Sequence, residues 1–245
     1  YEGGIFVRNL HGQSRQPILI KGSDPQSPPI IKGGNTGIQI SSASHVRLEN
    51  LIVEGAKNNG INIDDGGKDT PSLKIELVDL KVRNIGSTDN QDGIKLSGVD
   101  SVTIENCTIE NWSKGGSAID MVGCHKSEIR MCTFRNGGSN AVQLKGGTSD
   151  ILIFQCNFLD TGERSINIGG KTGLQFFRPK NAKYEAKNIV VLENLFVRGN
   201  SPIAFVGVDG ARFENNTIVH PNRYAFQILQ ETREPGFVPS RNGVI

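Results

Sequence analysis

Apolar and polar positions alternate along this chain in short runs, and the runs recur. One type reads apolar, polar, apolar about a polar centre: Gly37-Ile38-Gln39-Ile40, Gly60-Ile61-Asn62-Ile63, Gly93-Ile94-Lys95-Leu96, Ala118-Ile119-Asp120-Met121, Ala141-Val142-Gln143-Leu144, Ser165-Ile166-Asn167-Ile168 and, more loosely, Pro202-Ile203-Ala204-Phe205 and Ala225-Phe226-Gln227-Ile228. Their centres are spaced by 23, 33, 25, 23, 24, 37 and 23 residues, a unit of 23 to 25 residues with two insertions. A second type alternates with the first, as in Leu48-Glu49-Asn50-Leu51, Leu77-Val78-Asp79-Leu80, Ile104-Glu105-Asn106-Cys107, Ile153-Phe154-Gln155-Cys156 and Leu192-Glu193-Asn194-Leu195. Each run has a period of two, is rich in β-branched residues and is too short for a helix, so the unit reads strand, turn, strand, loop.

A repeat of this length, in which one unit cannot bury its own apolar face, predicts a solenoid. The expected fold is all-β, a right-handed parallel β-helix of about eight to ten coils, with like residues stacked about 4.8 Å apart. Residues 1–245 read as one domain, uncapped at both ends and therefore expected to be part of a longer chain. Stacking also predicts two columns. Asn50, Asp79, Asn106, Gln155, Asn194 and Asn215 would share a turn position and form a structural ladder. Cys107, Cys132 and Cys156 would follow as an inward stack of reduced thiols, with Cys124 elsewhere in its coil.

Composition narrows the partners. With 36% hydrophobic residues, 30 glycines and a net charge of +2, the chain has no nucleic-acid footprint and no apolar run long enough for a membrane span. The four cysteines lack paired metal-type spacing, and His11, His45, His125 and His220 share no column, so neither zinc nor a Ser-His-Asp arrangement can be assembled. His125 reads as a solvated turn residue.

Loop lengths point to a site. From the first column to the second the chain takes 11 or 12 residues in most coils but 17 and 27 in two of them. The long connections, Asp64 to Leu73 and Gly169 to Lys187, are expected to rise on one edge and to flank the coils of Lys95, Asp120 and Gln143, forming a groove for an extended polymer. Asp92, Lys95, Asp120, Lys145 and Arg164 would lie on its floor with Gln143 and Asn167. Taken singly, each is an ordinary polar residue of an outer sheet face; the combination with two flanking loops marks a site. In the second loop Phe176 and Phe177, beside Arg178, either stack on sugar rings or pin the loop.

Val142-Gln143-Leu144-Lys145, followed one coil later by Arg164, resembles the right-handed β-helix polysaccharide lyases of the alginate lyase and chondroitinase B type. The opening Tyr1-Glu2-Gly3-Gly4-Ile5 through Pro17-Ile18-Leu19-Ile20-Lys21-Gly22 is similar to the first coils of that family. The resemblance implies Lys145 as base, Arg164 as its assistant, and calcium neutralising a uronate carboxylate, here through Asp92, Asp120 or Asp64. It implies a secreted or periplasmic protein, expected to be a monomer. Asn90-Gln91-Asp92-Gly93-Ile94 also resembles a motif of the β-helix polygalacturonases, which are inverting hydrolases.

The leading expectation is therefore β-elimination on an acidic, uronate-containing polysaccharide. Lys145 and Arg164 would be catalytic, and Lys95, Asp120, Asp92, Gln143, Asn167, Phe177 and Arg178 would bind substrate. The alternatives are a glycoside hydrolase using Asp92 and Asp120 as acid and base, and a non-catalytic carbohydrate-binding solenoid.

Overall fold

A computed structural model describes residues 1–68, 70–87 and 89–245. Short strands stack into three parallel sheets of nine, nine and eight strands, and the chain visits them in rotation. Sheet 1 carries the first sequence column, on strands including Ile61–Asp64, Ile94–Ser97, Ser117–Val122, Asn140–Lys145 and Arg164–Gly169. Sheet 2 carries the second run, including Ser72–Val78, Val99–Glu105, His125–Arg130, Thr148–Phe154 and Ala186–Leu192. Sheet 3, of strands as short as Thr133–Arg135, was not anticipated as an element, because three residues carry too little alternation to register. Among the described residues, no helix is long and apolar enough to cross a membrane.

The spacing of the centres is the register of sheet 1: Asn62, Lys95, Asp120, Gln143 and Asn167 pair in turn. Their apolar neighbours point inward and stack like on like. Ile61, Ile94, Ile119, Val142 and Ile166 are fully buried. In sheet 3, Phe134, Phe158 and Phe196 stack with ring centroids 4.9 and 4.7 Å apart. Such columns bury apolar area continuously, which is where a solenoid gets its stability.

Corners impose the other periodicity. Asn50, Asp79, Asn106, Met131, Gln155, Glu193 and Asn215 all adopt left-handed φ values between 51° and 55°. A second left-handed column runs through Asn84, Asn111, Asn136 and Asp160. Asn and Asp tolerate this region because their short side chains bond locally, which explains the abundance of these residues at the turns. The ladder continues through side chains: Asn106 Nδ2 donates to Asp79 Oδ1 (2.6 Å).

One coil departs from the expected register. Gln155 aligns with Glu193, and Asn194 falls one position later, in line with Cys156, because Phe154 pairs with Leu192. Asn194 therefore points inward. Its Oδ1 accepts from the Cys156 N–H (2.8 Å) and its Nδ2 donates to the carbonyls of Ile153 (3.1 Å) and Leu192 (3.0 Å). Cys107, Cys132, Cys156 and Cys124 are buried free thiols. Burial pushes the Cys124 thiol up to about 12, as suits an inert core residue.

On the outer face of sheet 3, Lys32, Glu54, Arg83, Glu110 and Arg135 pair in register with alternating sign. Their contacts include Arg83 to Glu54 (2.7 Å) and Arg135 to Glu110 (2.6 Å).

Candidate functional site

Both long connections leave sheet 1 at the corner before sheet 2, one following Asp64 and the other following Gly169. Asp69, within the first, lies outside the described residues. The two flank a cleft of about 490 Å³, with Asp65, Gly67 and Lys68 on one wall, Gln175 to Lys180 on the other, and Ser97, Gly98 and Val122 between. A further recess of about 570 Å³ lies beyond the first connection, where Phe6, Arg8, Gln39 and Asp64 face outward from the same sheet. The two walls on one edge are as expected, but the cleft between them is floored by Ser97, Gly98 and Val122, and Lys95, Asp120, Gln143, Lys145 and Arg164 do not line it.

The second connection is held by two clasps. Glu185, fully buried, accepts at Oε1 from the Thr172 N–H (2.9 Å) and the Thr232 hydroxyl, and at Oε2 from the Gly146 N–H (2.9 Å) and the Thr172 hydroxyl (2.7 Å). Arg178 donates to Asp100 Oδ1 (2.8 Å), to the Gly123 carbonyl (3.1 Å) and to His125 Nδ1 (3.0 Å). Burial works against the Asp100 charge, but His125 and Arg178 outweigh it and hold its carboxyl below the usual range. Arg178, although part of the cleft wall, thus has its guanidinium engaged in fastening the loop to sheet 2, and His125 is a partner in that clasp, not a solvated turn residue. Phe177 takes the pinning role. Its ring is 1% exposed and packs edge-on to Phe237 at 5.2 Å, whereas Phe176 is 61% exposed. Of the two rings, the one available to a sugar is therefore Phe176, not Phe177 as the substrate-binding assignment had it.

Around the corner on sheet 1, parallel register places Lys95 beside Asp120 and Lys145 beside Val122. Lys95 Nζ contacts Asp120 Oδ2 and lies 3.6 Å from Asp92 Oδ2. Lys145 Nζ reaches the same Asp120 oxygen at 3.3 Å. Asp120 Oδ1 is buried and has no hydrogen-bond partner among the described residues. Asp92 is fixed from both sides: its N–H donates to Asn59 Oδ1 (2.9 Å), and its Oδ1 accepts from the Ser117 N–H (2.8 Å). Burial first, and the Asp120 charge second, raise the Asp92 carboxyl to about 6 against the opposing pull of Lys95. Burial also disfavours the Lys95 charge, yet Asp120 and Asp92 more than compensate and raise its pKa.

Exposure divides this cluster. Asp92 and Asp120 side chains are 3% and 1% accessible, while Lys95, Lys145 and Arg164 are 20%, 21% and 21% accessible. The carboxylates lie beneath, and cations form the surface.

Arg164 stands at the opposite end of the floor from Lys145, since it pairs with Asn140. Five residues of extended strand separate Asn140 from Lys145, about 16 Å. Arg164 is carried by an amide network: Asn140 Nδ2 (2.9 Å) and Asn167 Nδ2 (2.9 Å) both donate to Gln143 Oε1, and Arg164 Nη1 donates to Asn167 Oδ1 (3.1 Å). Gln143 and Asn167 are buried in this network, 5% and 3% exposed. Arg164 Nη1 and Nη2 also donate to Glu231 Oε1, each at 3.1 Å. Sequence reading had missed Glu231, which lies beyond the last clear repeat and carries no periodic signal.

Among the described residues, no group of three acidic, histidine or cysteine side chains could hold a metal ion. The donor set also argues against calcium here. The Lys95 ammonium fills the space between Asp92 and Asp120, and Asp64 turns to Gln39 Nε2 (2.6 Å), Asn62 Nδ2 (3.0 Å) and the Gly66 N–H (2.8 Å). The three aspartates do not converge.

No curated protein sequence matches this chain significantly. Among solved structures it is similar to an alginate lyase from Paenibacillus sp. str. FPU-7, at 15% identity and a TM-score of 0.60, over 94% of this chain and 89% of that one. It is also similar to PfbA, a surface adhesin of Streptococcus pneumoniae, at 11% identity and a TM-score of 0.53, over 98% and 70% of the two chains. At such identities the likeness shows the fold alone. The family described as "Right handed beta helix region" matches residues 72–240, most of the stacked coils, and the chain belongs to that family.

Proposed function

We propose that this protein is a carbohydrate-active enzyme that cleaves an acidic, uronate-containing polysaccharide by β-elimination along the outer face of sheet 1. One observation carries the reading: the solvent-reaching groups of the buried charge cluster are the cations Lys95 and Lys145, with Arg164 on the same floor, above carboxylates that solvent scarcely touches. Such a floor suits a polyanion and keeps its counter-charges fixed. The walled cleft at the adjoining corner, floored by Ser97, Gly98 and Val122, would extend the surface available to a long polymer beyond this floor.

In this reading each cation has its own task. Lys95, whose pKa is raised between two carboxylates, stays charged and faces the substrate carboxylate, where negative charge grows as the enediolate forms. Lys145 has one carboxylate contact, at 3.3 Å; having given its own proton to solvent, it acts as the neutral amine and takes the proton from the carbon α to the substrate carboxylate. The electron pair released becomes a carbon–carbon double bond, the glycosidic oxygen departs from the neighbouring carbon, and it leaves protonated by the proton that Lys145 has just taken. Asp120 positions both lysines. Arg164 binds an adjoining acidic sugar. No step requires a metal. An enzyme for such a polymer would work outside the cytoplasm.

A second reading rests on Asp92, whose carboxyl near 6 is suited to a general acid, with the Asp120 carboxyl beside it as its partner. The pair would then hydrolyse the glycosidic bond, provided substrate binding exposes them. Incubating the protein with alginate, pectate and glycosaminoglycans separates the two. New ultraviolet absorbance from unsaturated uronates is the expected result. Reducing ends without that absorbance would establish hydrolysis, and binding without either product would leave a carbohydrate-binding solenoid.

A further inference from the structure

The contact between Arg164 and Glu231 joins residues 67 apart in sequence, and its geometry is unusual for a structural ion pair. Both guanidinium nitrogens converge on a single oxygen, Oε1, instead of matching two nitrogens to two oxygens as Arg–carboxylate forks do. The Glu231 side chain is 36% accessible, more than Arg164 at 21%. Arg164 does not depend on it for direction, because Asn167 Oδ1, backed by Gln143 and Asn140, accepts from the same Nη1.

The neighbouring backbone behaves differently. Thr232, the next residue, is buried, and its hydroxyl donates to Glu185 and to the Gly170 carbonyl (3.2 Å), so the loop is anchored one residue from Glu231. The Glu231 side chain can therefore swing without moving the loop. A recess of about 450 Å³, lined by Glu231 together with Lys171, Gln230, Arg233 and Glu234, adjoins it, and its two cations can receive a displaced carboxylate.

We infer that Glu231 occupies the place of a sugar carboxylate on Arg164, and that an acidic glycan binds at this end of the groove by displacing it. The inference rests on the reading of sheet 1 as a surface for acidic glycans and adds to it a residue that sets affinity and selectivity. Arg164, freed of Glu231, offers a planar fork to the incoming carboxylate, while Asn167 keeps the fork in position. Glu231 thereby weakens binding of acidic sugars by competition, while a neutral sugar, with no carboxylate to take its place on Arg164, is unaffected by it.

Titration calorimetry with alginate hexamer, oligogalacturonate hexamer and their carboxyl-reduced neutral forms tests this, with turnover measured on the same proteins. Glu231→Gln is expected to bind the acidic hexamers roughly three- to tenfold more tightly, since an exposed competing ion pair is removed. Neutral hexamers should show no change, and the gain should vanish when Arg164→Gln is added. Unchanged or weaker binding of the acidic hexamers by folded Glu231→Gln, with the wild type binding them, overturns the inference and shows Glu231 to be a buttress. Tighter acidic binding without unsaturated product from any protein keeps the inference and removes the lyase reading. Absence of binding to either acidic hexamer by wild type and Glu231→Gln alike removes both.

Discussion

Asp92 and Asp120 contact the same ammonium from different surroundings, and the difference has a measurable consequence. Asp92 in the folded chain titrates near 6, against its ordinary 3.8, chiefly because burial penalises its charge. Its protonated form is the one the fold favours, so this contribution to stability is complete below about 4 and is lost as pH rises through about 6. Replacing Asp92 with Asn removes the titration. The stability of Asp92→Asn relative to wild type should increase between pH 4 and pH 7, on the order of 2–3 kcal/mol, in denaturant unfolding at each pH. A difference that is flat with pH would show that Asp92 is not perturbed. Lys145 is tested through chemistry: Lys145→Ala should lower turnover by about 10²- to 10⁴-fold with thermal unfolding little changed, since its ammonium makes one ion contact. Retained turnover would pass the role of base to another group. Lys95, Asp120 and Lys145 were legible beforehand because alternation fixes which side chains face outward, whereas Asp92, an odd number of residues from Lys95 and before the strand, is out of that phase. Which of them solvent reaches was not legible, because that depends on how lysine stems fold over aspartates.

Among the larger pieces, the connection from Gly169 to Ala186 shows what alternation cannot convey. Its length was visible as an insertion and its corner followed from the register of the flanking strands. Its fastening was not, because Glu185, Thr232 and Gly146 come from three coils and share no repeat position. Glu185→Ala leaves the buried Gly146 and Thr172 donors unpaired and frees Thr232 of one acceptor, and should cost roughly 3 kcal/mol in denaturant unfolding. Proteolysis within residues 170–184 should accelerate in that variant, and equal resistance would show that the Arg178 clasp suffices. The misplacement of Asn194 has a simpler cause. Leu192-Glu193-Asn194-Leu195 reads like Ile104-Glu105-Asn106-Cys107, yet Leu192 pairs outward with Phe154, and only the backbone ladder distinguishes the two registers.

Taken as one body, the molecule is a rod of repeated coils, with the proposed site on a single face and corner. The columns of sheet 1, the long connections and the interior stacks were all readable from spacing, because a solenoid converts sequence period directly into position. Sheet 3 and the return of Glu231 to Arg164 were not, one for brevity and the other for lack of period. The aspartates proposed for calcium are spoken for by lysines and amides, so chelation with EDTA is expected to leave turnover of an acidic polysaccharide unchanged. Loss of turnover on chelation, restored by added calcium, would place a metal in the reaction.

The sign alternation from Lys32 to Arg135 on sheet 3 bears on how such a rod assembles. Within the interior, isoleucine follows isoleucine, and a chain that omitted a rung while stacking would still bury apolar surface. On the outer face the same error would set Lys32 against Arg83, or Glu54 against Glu110, and like charges in direct opposition are unfavourable. The charges therefore work as a parity code: every displacement by an odd number of rungs is penalised, and nascent coils are told apart although their cores are nearly interchangeable.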